Sequence, residues 1–406
     1  MKSIKKSLSL LLTIFVLTVN LAYADEETNE TLNLSVTSAI SYDMETREII
    51  YTKNIDKKIY PASITKLMTA LLLAENMKTT DMLVYTESAA QQPACSYREN
   101  IEYVAIGDKM RADYIMDVLL LYSGNDIAYV IADNVAGSTE KFIEMMNEKA
   151  KELGMENTHY ETANGLDRDY PEHVTTAYDL VKLLTAAYEN EWVRETMNKQ
   201  KSIVKTLNTP SRTISNSNKN LNINGCIGGK TGYTDRAGRC LATIYERDGR
   251  KIISIVMKSN DIFGDTEKLA DYSYNAKKVT YIPKGKIIET IKQTYNPLAS
   301  VNVSKIAKIP IYLKENIKYY RNDITPEVTY NISNIDVWTL DNTKPVTTLT
   351  LTLRDYSQQY NTYSDFSIKD IIKTHVMEIL NKLFPKIKFN KDHIQNIVDK
   401  PEFNYI

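Results

Sequence analysis

The pieces CIGGKTGYT (226–234), GRCLATIYER (238–247) and KIISIVM (251–257) decide how this chain folds. Each is apolar and strand-like, and turn formers separate them: Asp235 to Gly238 after the first, then Asp248-Gly249, a strong two-residue hairpin signal. They predict three antiparallel strands. Working outward, LSVTSAISY (34–42) and REIIYT (47–52) predict two more strands around a turn at Asp43-Met44-Glu45-Thr46, and DTEKLADYSYNAKK (265–278) predicts a closing helix. The middle is helical. Leu67, Met68, Leu71 and Leu72 recur at helical spacing after Ser63, and ADYIMDVLLL (112–121) and IAYVIADNVAG (127–137) are two further apolar helices. Residues 139–190 are helix-rich, with Thr176 and Asp179 placed to cap LVKLLTAAY. Strands at both ends of a helical middle predict an α+β domain over 30–281, an antiparallel sheet flanked by helices.

The remainder of the chain sorts by texture. Lys2, Lys5 and Lys6 precede an apolar run from Leu8 to Leu21 that ends in Ala22-Tyr23-Ala24, the pattern of a cleavable secretory signal at 1–24. A spanning anchor is the competing reading, but Thr13, Thr18 and Asn20 interrupt the run, which falls short of the ~20 apolar residues a bilayer requires. Past Ile282-Pro283, segments such as IPIYLKE, EVTYNIS and TTLTLTLRD predict a small all-β domain at 285–356. A C-terminal helix and tail follow at 367–406. There Ile368, Ile371, Ile372, Val376, Ile379, Leu380, Leu383 and Phe384 share one face and Lys369, Lys373, Lys382 and Lys386 the other. That face suits either peripheral membrane contact through 367–389 or packing on its own domain.

Charge and metal chemistry narrow the function. Fifty basic against 51 acidic residues give no electrostatic case for nucleic acid. Four scattered histidines and three cysteines without ligand spacing predict no metal site. Cys95, Cys226 and Cys240 are expected as buried free thiols, with a 226–240 bridge as the alternative.

Three polar clusters carry the chemistry. In Ser63-Ile64-Thr65-Lys66 the serine and lysine are three apart, so on a helix they share a face. The helix dipole then points at Ser63, and a desolvated Lys66 can take the hydroxyl proton as general base. Ser123-Gly124-Asn125 lies in a turn between two apolar helices, so Ser123 can relay a proton and Asn125 can hold Lys66 and a substrate amide. Lys230-Thr231-Gly232 lies on a predicted strand. There Lys230 adds positive charge that lowers the Lys66 pKa, and Thr231 can bind a carboxylate. Gly232 leaves room for an extended peptide along the strand edge, and the backbone N–H of Tyr233 can pair with that of Ser63 as an oxyanion hole. A phosphate loop is the rival reading of Gly229-Lys230-Thr231, but Asn224 stands where that motif requires glycine, and a hairpin follows instead of a helix. Each cluster alone is weak; their order and spacing make one site.

Together these clusters resemble the penicillin-binding D-alanyl-D-alanine carboxypeptidases of the serine peptidase–β-lactamase superfamily. The likeness covers most of 35–280, including PASITKLMTALLLAE, the run from Ala105 to Ser138 and GGKTGYTDRAGRCLATIYERDGRKIISIVM. It implies a transpeptidase-like fold with no cofactor, a bacterial extracytoplasmic setting in cell-wall synthesis and cell shape, and a peptidoglycan stem peptide as substrate. Ser63 would be acylated by the pentapeptide, release D-alanine and be freed by water; β-lactams would acylate the same serine. A D,D-endopeptidase, a non-catalytic wall scaffold and a β-lactamase are the alternatives, the last disfavoured because Glu161-Thr162-Ala163-Asn164 lacks the Glu-x-x-Leu-Asn pattern of a deacylating glutamate. Two departures stand out. SNDIFGDTEK (259–268) offers Asp261 and Asp265 where relatives commonly carry a basic residue, which leaves the substrate carboxylate to Thr231, Lys258 or Lys268. The segment AAQQPACSYREN (89–100), expected to shape the pocket rim, is unusual.

Overall fold

A computed structural model describes residues 32–93, 95–295, 304–332 and 335–385. The secretory segment expected at 1–24 and the tail beyond 385 lie outside the described residues. The chain forms two compact units, one of residues 25–277 with 320–324, the other including 278–319 and the chain from 325 onward.

The first unit is built on a five-stranded antiparallel sheet in the order Ile49–Lys53, Val36–Asp43, Arg250–Ser259, Gly238–Arg247, Cys226–Thr234. Its two faces follow from the period of two along each strand. Ile40, Ala242, Ile244, Ile253, Ile255 and Met257 point into the main core with the helices. Ala39, Leu241 and Val256 point the other way, against Ile262 and Leu269 of the Ile262–Asn275 helix. Both faces are covered, so the central strands read as nearly continuous apolar runs.

The helical side centres on Lys66–Asn76, where every residue from Lys66 to Leu73 is buried. A helix enclosed all round sits in the middle of a core, and here it carries a lysine into that core. Asn125–Ala136, Thr139–Glu152 and Ala177–Glu189 belong to the same helical side. Thr176 caps the last of these by accepting a hydrogen bond from the Asp179 N–H, as the sequence predicts.

Cys226 and Cys240 are buried and free, and Cys95 is free but exposed. In the strand pairing Cys240 lies opposite Gly232, six residues along from Cys226, or about 20 Å, too far for a disulfide.

In the second unit a five-stranded sheet has the order Ile287–Tyr295, Lys305–Leu313, Tyr356–Tyr363, Thr347–Leu353, Glu327–Asn331. The Thr347–Leu353 strand, TTLTLTL, alternates buried and half-buried positions. Its hairpin partner runs to Tyr363, so the sheet extends past the boundary at 356 expected from sequence. The Ile368–Leu383 helix begins with Ile368 buried in the same cluster as Ile309 and Ile311, with Ile372 against it. Part of its apolar face is thus used within its own unit. Among the described residues no helix is long and apolar enough to cross a membrane.

One loop fastens the helical side to the turn bearing Ser63. Gly165 has φ +89°, and a Cβ there would stand 1.9 Å from the Ala62 carbonyl oxygen. Gly165→Ala is expected to lower the stability of the chain by about 2 kcal/mol or more, read by urea unfolding. An unchanged midpoint would mean that this loop does not hold the turn.

Candidate active site

Ser63 lies in a 3-10 turn, Ala62–Thr65, that leads directly into the Lys66–Asn76 helix. Ser63 therefore precedes the α-helix instead of occupying its first turn, and the three-residue spacing still brings its hydroxyl to Lys66. The Lys66 Nζ lies 2.8 Å from Ser63 Oγ, 2.8 Å from Asn125 Oδ1 and 2.8 Å from the Asn164 carbonyl oxygen. The last two can only accept, whereas the serine hydroxyl can also donate. An ammonium satisfies all three by donating; a neutral amine donates to the two carbonyl oxygens and keeps its lone pair for the serine proton. The site can thus hold either protonation state without an orphaned group. Lys66 is 0% exposed. Burial, and next the like charge of Lys230, pull its pKa well below the usual 10.5, while Cys95 and Asp126 act in the opposite sense.

Ser123 is delivered by an irregular helix end. The Ala112–Asp117 helix widens into a π turn, Val118–Tyr122, and Ser123 follows in the left-handed region with φ 73°. The Lys230 Nζ donates to Ser123 Oγ at 2.9 Å and to the Thr231 carbonyl at 2.9 Å. Burial lowers the Lys230 pKa from 10.5 to about 7. Asn125 opens the next helix, and its side-chain nitrogen donates to the Pro93 carbonyl. Its neighbour Asp126, fully buried, accepts from the Tyr97 and Arg98 N–H groups, Ser96 Oγ and Tyr85 OH, and so pins the 96–98 turn beside the motif.

The Cys226–Thr234 strand contributes the third cluster. Gly232 is buried, and a Cβ there would stand 3.0 Å from the Pro61 carbonyl oxygen and 3.2 Å from the Ile64 nitrogen. The missing side chain thus eases a close approach of the strand to the Ser63 turn, a constraint beside the room for a peptide inferred from sequence. That approach carries the Tyr233 backbone to the same turn, while the Tyr233 side chain is exposed and donates to Asp235. Thr231 Oγ1 lies 2.7 Å from Ser217 Oγ.

All eight residues singled out in the sequence therefore belong to one neighbourhood: Ser63, Lys66, Ser123, Asn125, Lys230, Thr231, Gly232 and Tyr233. Sequence reasoning missed the loop that closes it. Besides the Asn164 carbonyl on Lys66, the Ala163 carbonyl accepts from Thr69 Oγ1, and Asp167 accepts from Thr234 Oγ1. His173 Nδ1 accepts from the Glu161 N–H while its Nε2 meets Thr65 Oγ1 at 2.9 Å. Burial holds this imidazole neutral, with a pKa lowered to about 3. The Asn164-Gly165 pair is a turn signal that could have marked the loop. The unusual 89–100 segment does reach the site, since Gln92 Oε1 accepts from the Asn164 side-chain amide and the Cys95 carbonyl from the Asn125 N–H.

Comparison with known proteins places the chain in a family. The family model described as D-alanyl-D-alanine carboxypeptidase matches residues 25–261. The chain is 31% identical over 263 residues to D-alanyl-D-alanine carboxypeptidase DacC of Escherichia coli, covering 62% of this chain and 64% of that one. It is 26% identical over 260 residues to DacF of Bacillus subtilis, covering 63% and 66% respectively. The matches thus span slightly less than two thirds of either relative. Among solved structures, the D-alanyl-D-alanine carboxypeptidase from Mycobacterium tuberculosis superposes with TM-score 0.56 at 26% identity, over 60% of this chain and 93% of that one. With its helix-flanked antiparallel sheet and its family match over more than half its length, the chain belongs to the D-alanyl-D-alanine carboxypeptidase family.

Proposed function

We propose that the chain is a serine-type D-alanyl-D-alanine carboxypeptidase that removes the terminal D-alanine from peptidoglycan stem pentapeptides. The observation that carries this reading is the buried Lys66 amine, 2.8 Å from Ser63 Oγ, with its pKa drawn down. Lys66 takes the Ser63 proton as Oγ bonds to the carbonyl carbon of the penultimate D-alanine. Charge on the carbonyl oxygen is met by the Ser63 and Tyr233 N–H groups. The C–N bond then breaks, and Ser123, held by Lys230, passes the proton to the leaving amine. Asn125 orients Lys66 and the substrate amide, and Thr231 engages the terminal carboxylate. Water, deprotonated by Lys66, frees the acyl-enzyme. A β-lactam acylates Ser63 by the same first step and leaves slowly.

Residues 1–24 act as a secretory signal, supported by the lysines and apolar run at that end, and they direct the enzyme to the wall. Lipid contact through 367–389 is supported by the exposed Leu383 and Phe384 at the end of the Ile368–Leu383 helix.

Two experiments test the reading. Ser63→Ala should abolish covalent labelling by fluorescent penicillin and cut D-alanine release from diacetyl-Lys-D-Ala-D-Ala by at least about 10³-fold with the fold intact. Labelling that survives would remove Ser63 as nucleophile. The second concerns pH. Acylation requires neutral Lys66, so its rate falls as pH drops through the Lys66 pKa. Lys230→Met deletes a like charge that lowers that pKa, so the acid limb of penicillin acylation should move to higher pH. A limb that stays in place would mean the two amines do not sense each other.

A further inference from the structure

We propose that Lys219 supplies the positive charge that reads the substrate's terminal carboxylate, an inference that rests on the carboxypeptidase reading. A peptidase that removes one residue from a free C-terminus must recognise an anion, and the site's two buried amines are otherwise engaged. Lys66 holds three partners, and Lys230 donates to Ser123 and to the Thr231 carbonyl. Thr231 itself is neutral.

The sheet register locates the missing charge. Thr231 lies directly opposite Leu241, and residues so paired point to the same face. Leu241 packs with Ile262 and Leu269 of the Ile262–Asn275 helix, and Phe263 packs against the same cluster. Thr231 therefore stands on the helix-covered face, at the outermost strand of the sheet. The Lys219 Nζ is 5.8 Å from the centre of the Phe263 ring, on that same side. Its segment is tied to Thr231 as well, because Ser217, two residues earlier, meets Thr231 Oγ1 at 2.7 Å.

The backbone under Lys219 is fixed although its side chain is exposed. Ser217 N–H donates to the Leu121 carbonyl, beside the Ser123 turn. Asn218 and Asn220, on either side of Lys219, are 4% and 7% exposed. The Asn220 side-chain nitrogen lies 2.9 Å from both the Tyr245 hydroxyl and the Phe263 carbonyl oxygen. Lys219 thus projects from a pinned turn between Thr231 and the start of the helix, where a carboxylate on Thr231 would come to rest. Two other cations rise from this face of the strand pair: Arg247 is paired with Asp271 of the helix at 2.7 Å, and Arg239 lies opposite Tyr233. Arg239 rises from the neighbouring strand, across Cys226–Thr234 from that strand's open edge. Lys258, by contrast, runs its side chain along Gly238.

The test compares free-acid and amide forms of diacetyl-Lys-D-Ala-D-Ala, and benzylpenicillin with its methyl ester, using the whole chain. Lys219→Ala should lower kcat/KM on the acid by about ten-fold, the low end for a hydrogen bond to a charged group. The amide and the ester should react as with wild type, Lys219→Arg should recover most of the loss, and Arg239→Ala should behave as wild type. Unchanged kcat/KM on the acid, an equal loss on acid and amide, or a loss carried by Arg239→Ala instead would overturn the assignment of Lys219. A wild type that labels with penicillin but releases no D-alanine overturns the carboxypeptidase reading alone, since the penicillin pair still reads Lys219. A wild type that does neither removes both.

Discussion

The molecule is organised around one amine taken out of water. Moving a lysine into a core is strongly unfavourable unless its donors are met, and even then the neutral form is favoured. Lys66 is met by groups from three separate parts of the chain: its own turn through Ser63, the helix start at Asn125 and the loop carbonyl of Asn164. Displacement of Asn125 or of the Asn164 loop leaves a buried N–H without an acceptor, and displacement of the Ser63 turn leaves the neutral amine's lone pair without its hydroxyl partner. The closures around it follow from this constraint, including the bare Gly165 against Ala62, Thr69 on the Ala163 carbonyl and the neutral His173 that spans Thr65 and Glu161.

The sheet brings the second amine by a different route. Lys230 and Thr231 are neighbours on one strand, so the pleat sends them to opposite faces. Lys230 opposes Ala242 of the main core and reaches Ser123, whereas Thr231 opposes Leu241 on the helix-covered face. A single strand therefore reaches the Ser123 hydroxyl on one side and the Ser217 hydroxyl on the other. Gly232 lets that strand approach the Ser63 turn closely.

Where the apolar period was strong, the sequence was legible. The hairpin at Asp248-Gly249, the strand pair around residues 43–46 and the Thr176 cap are local signals, and each appears where the local physics puts it. The polar residues that assemble the site were also legible, because a lysine inside ITKLMTALLLA has no ordinary reason to be there. What escaped was geometry set by tertiary contact. The π turn at Val118–Tyr122 looks like uninterrupted helix, since nothing in VLLLY announces a wider turn. Asn164 acts through its carbonyl, which every residue possesses, so its side chain gave no clue to this role. The close approach of Gly232 to the Ser63 turn is likewise tertiary, and its sequence neighbours carry no sign of it. Cys95 was expected inside with the other thiols, yet it lies exposed in the polar 89–100 segment.

The strand order has a consequence for how the protein comes into being. Val36–Asp43 is paired on one side with its near neighbour Ile49–Lys53 and on the other with Arg250–Ser259, more than two hundred residues later. As the chain is synthesised, the early hairpin has no third strand to lean on, and an isolated two-stranded hairpin is marginally stable in water. Ser63 and Lys66 are made early, but the Lys230 strand and the strand that locks it to the N-terminal hairpin are made much later. The cluster around Ser63 and Lys66 therefore remains unassembled until most of the unit has emerged, and contacts this distant in sequence make its closure slow. Wherever the chain is threaded through a pore in unfolded form, that delay keeps it threadable and chemically silent until the far side is reached.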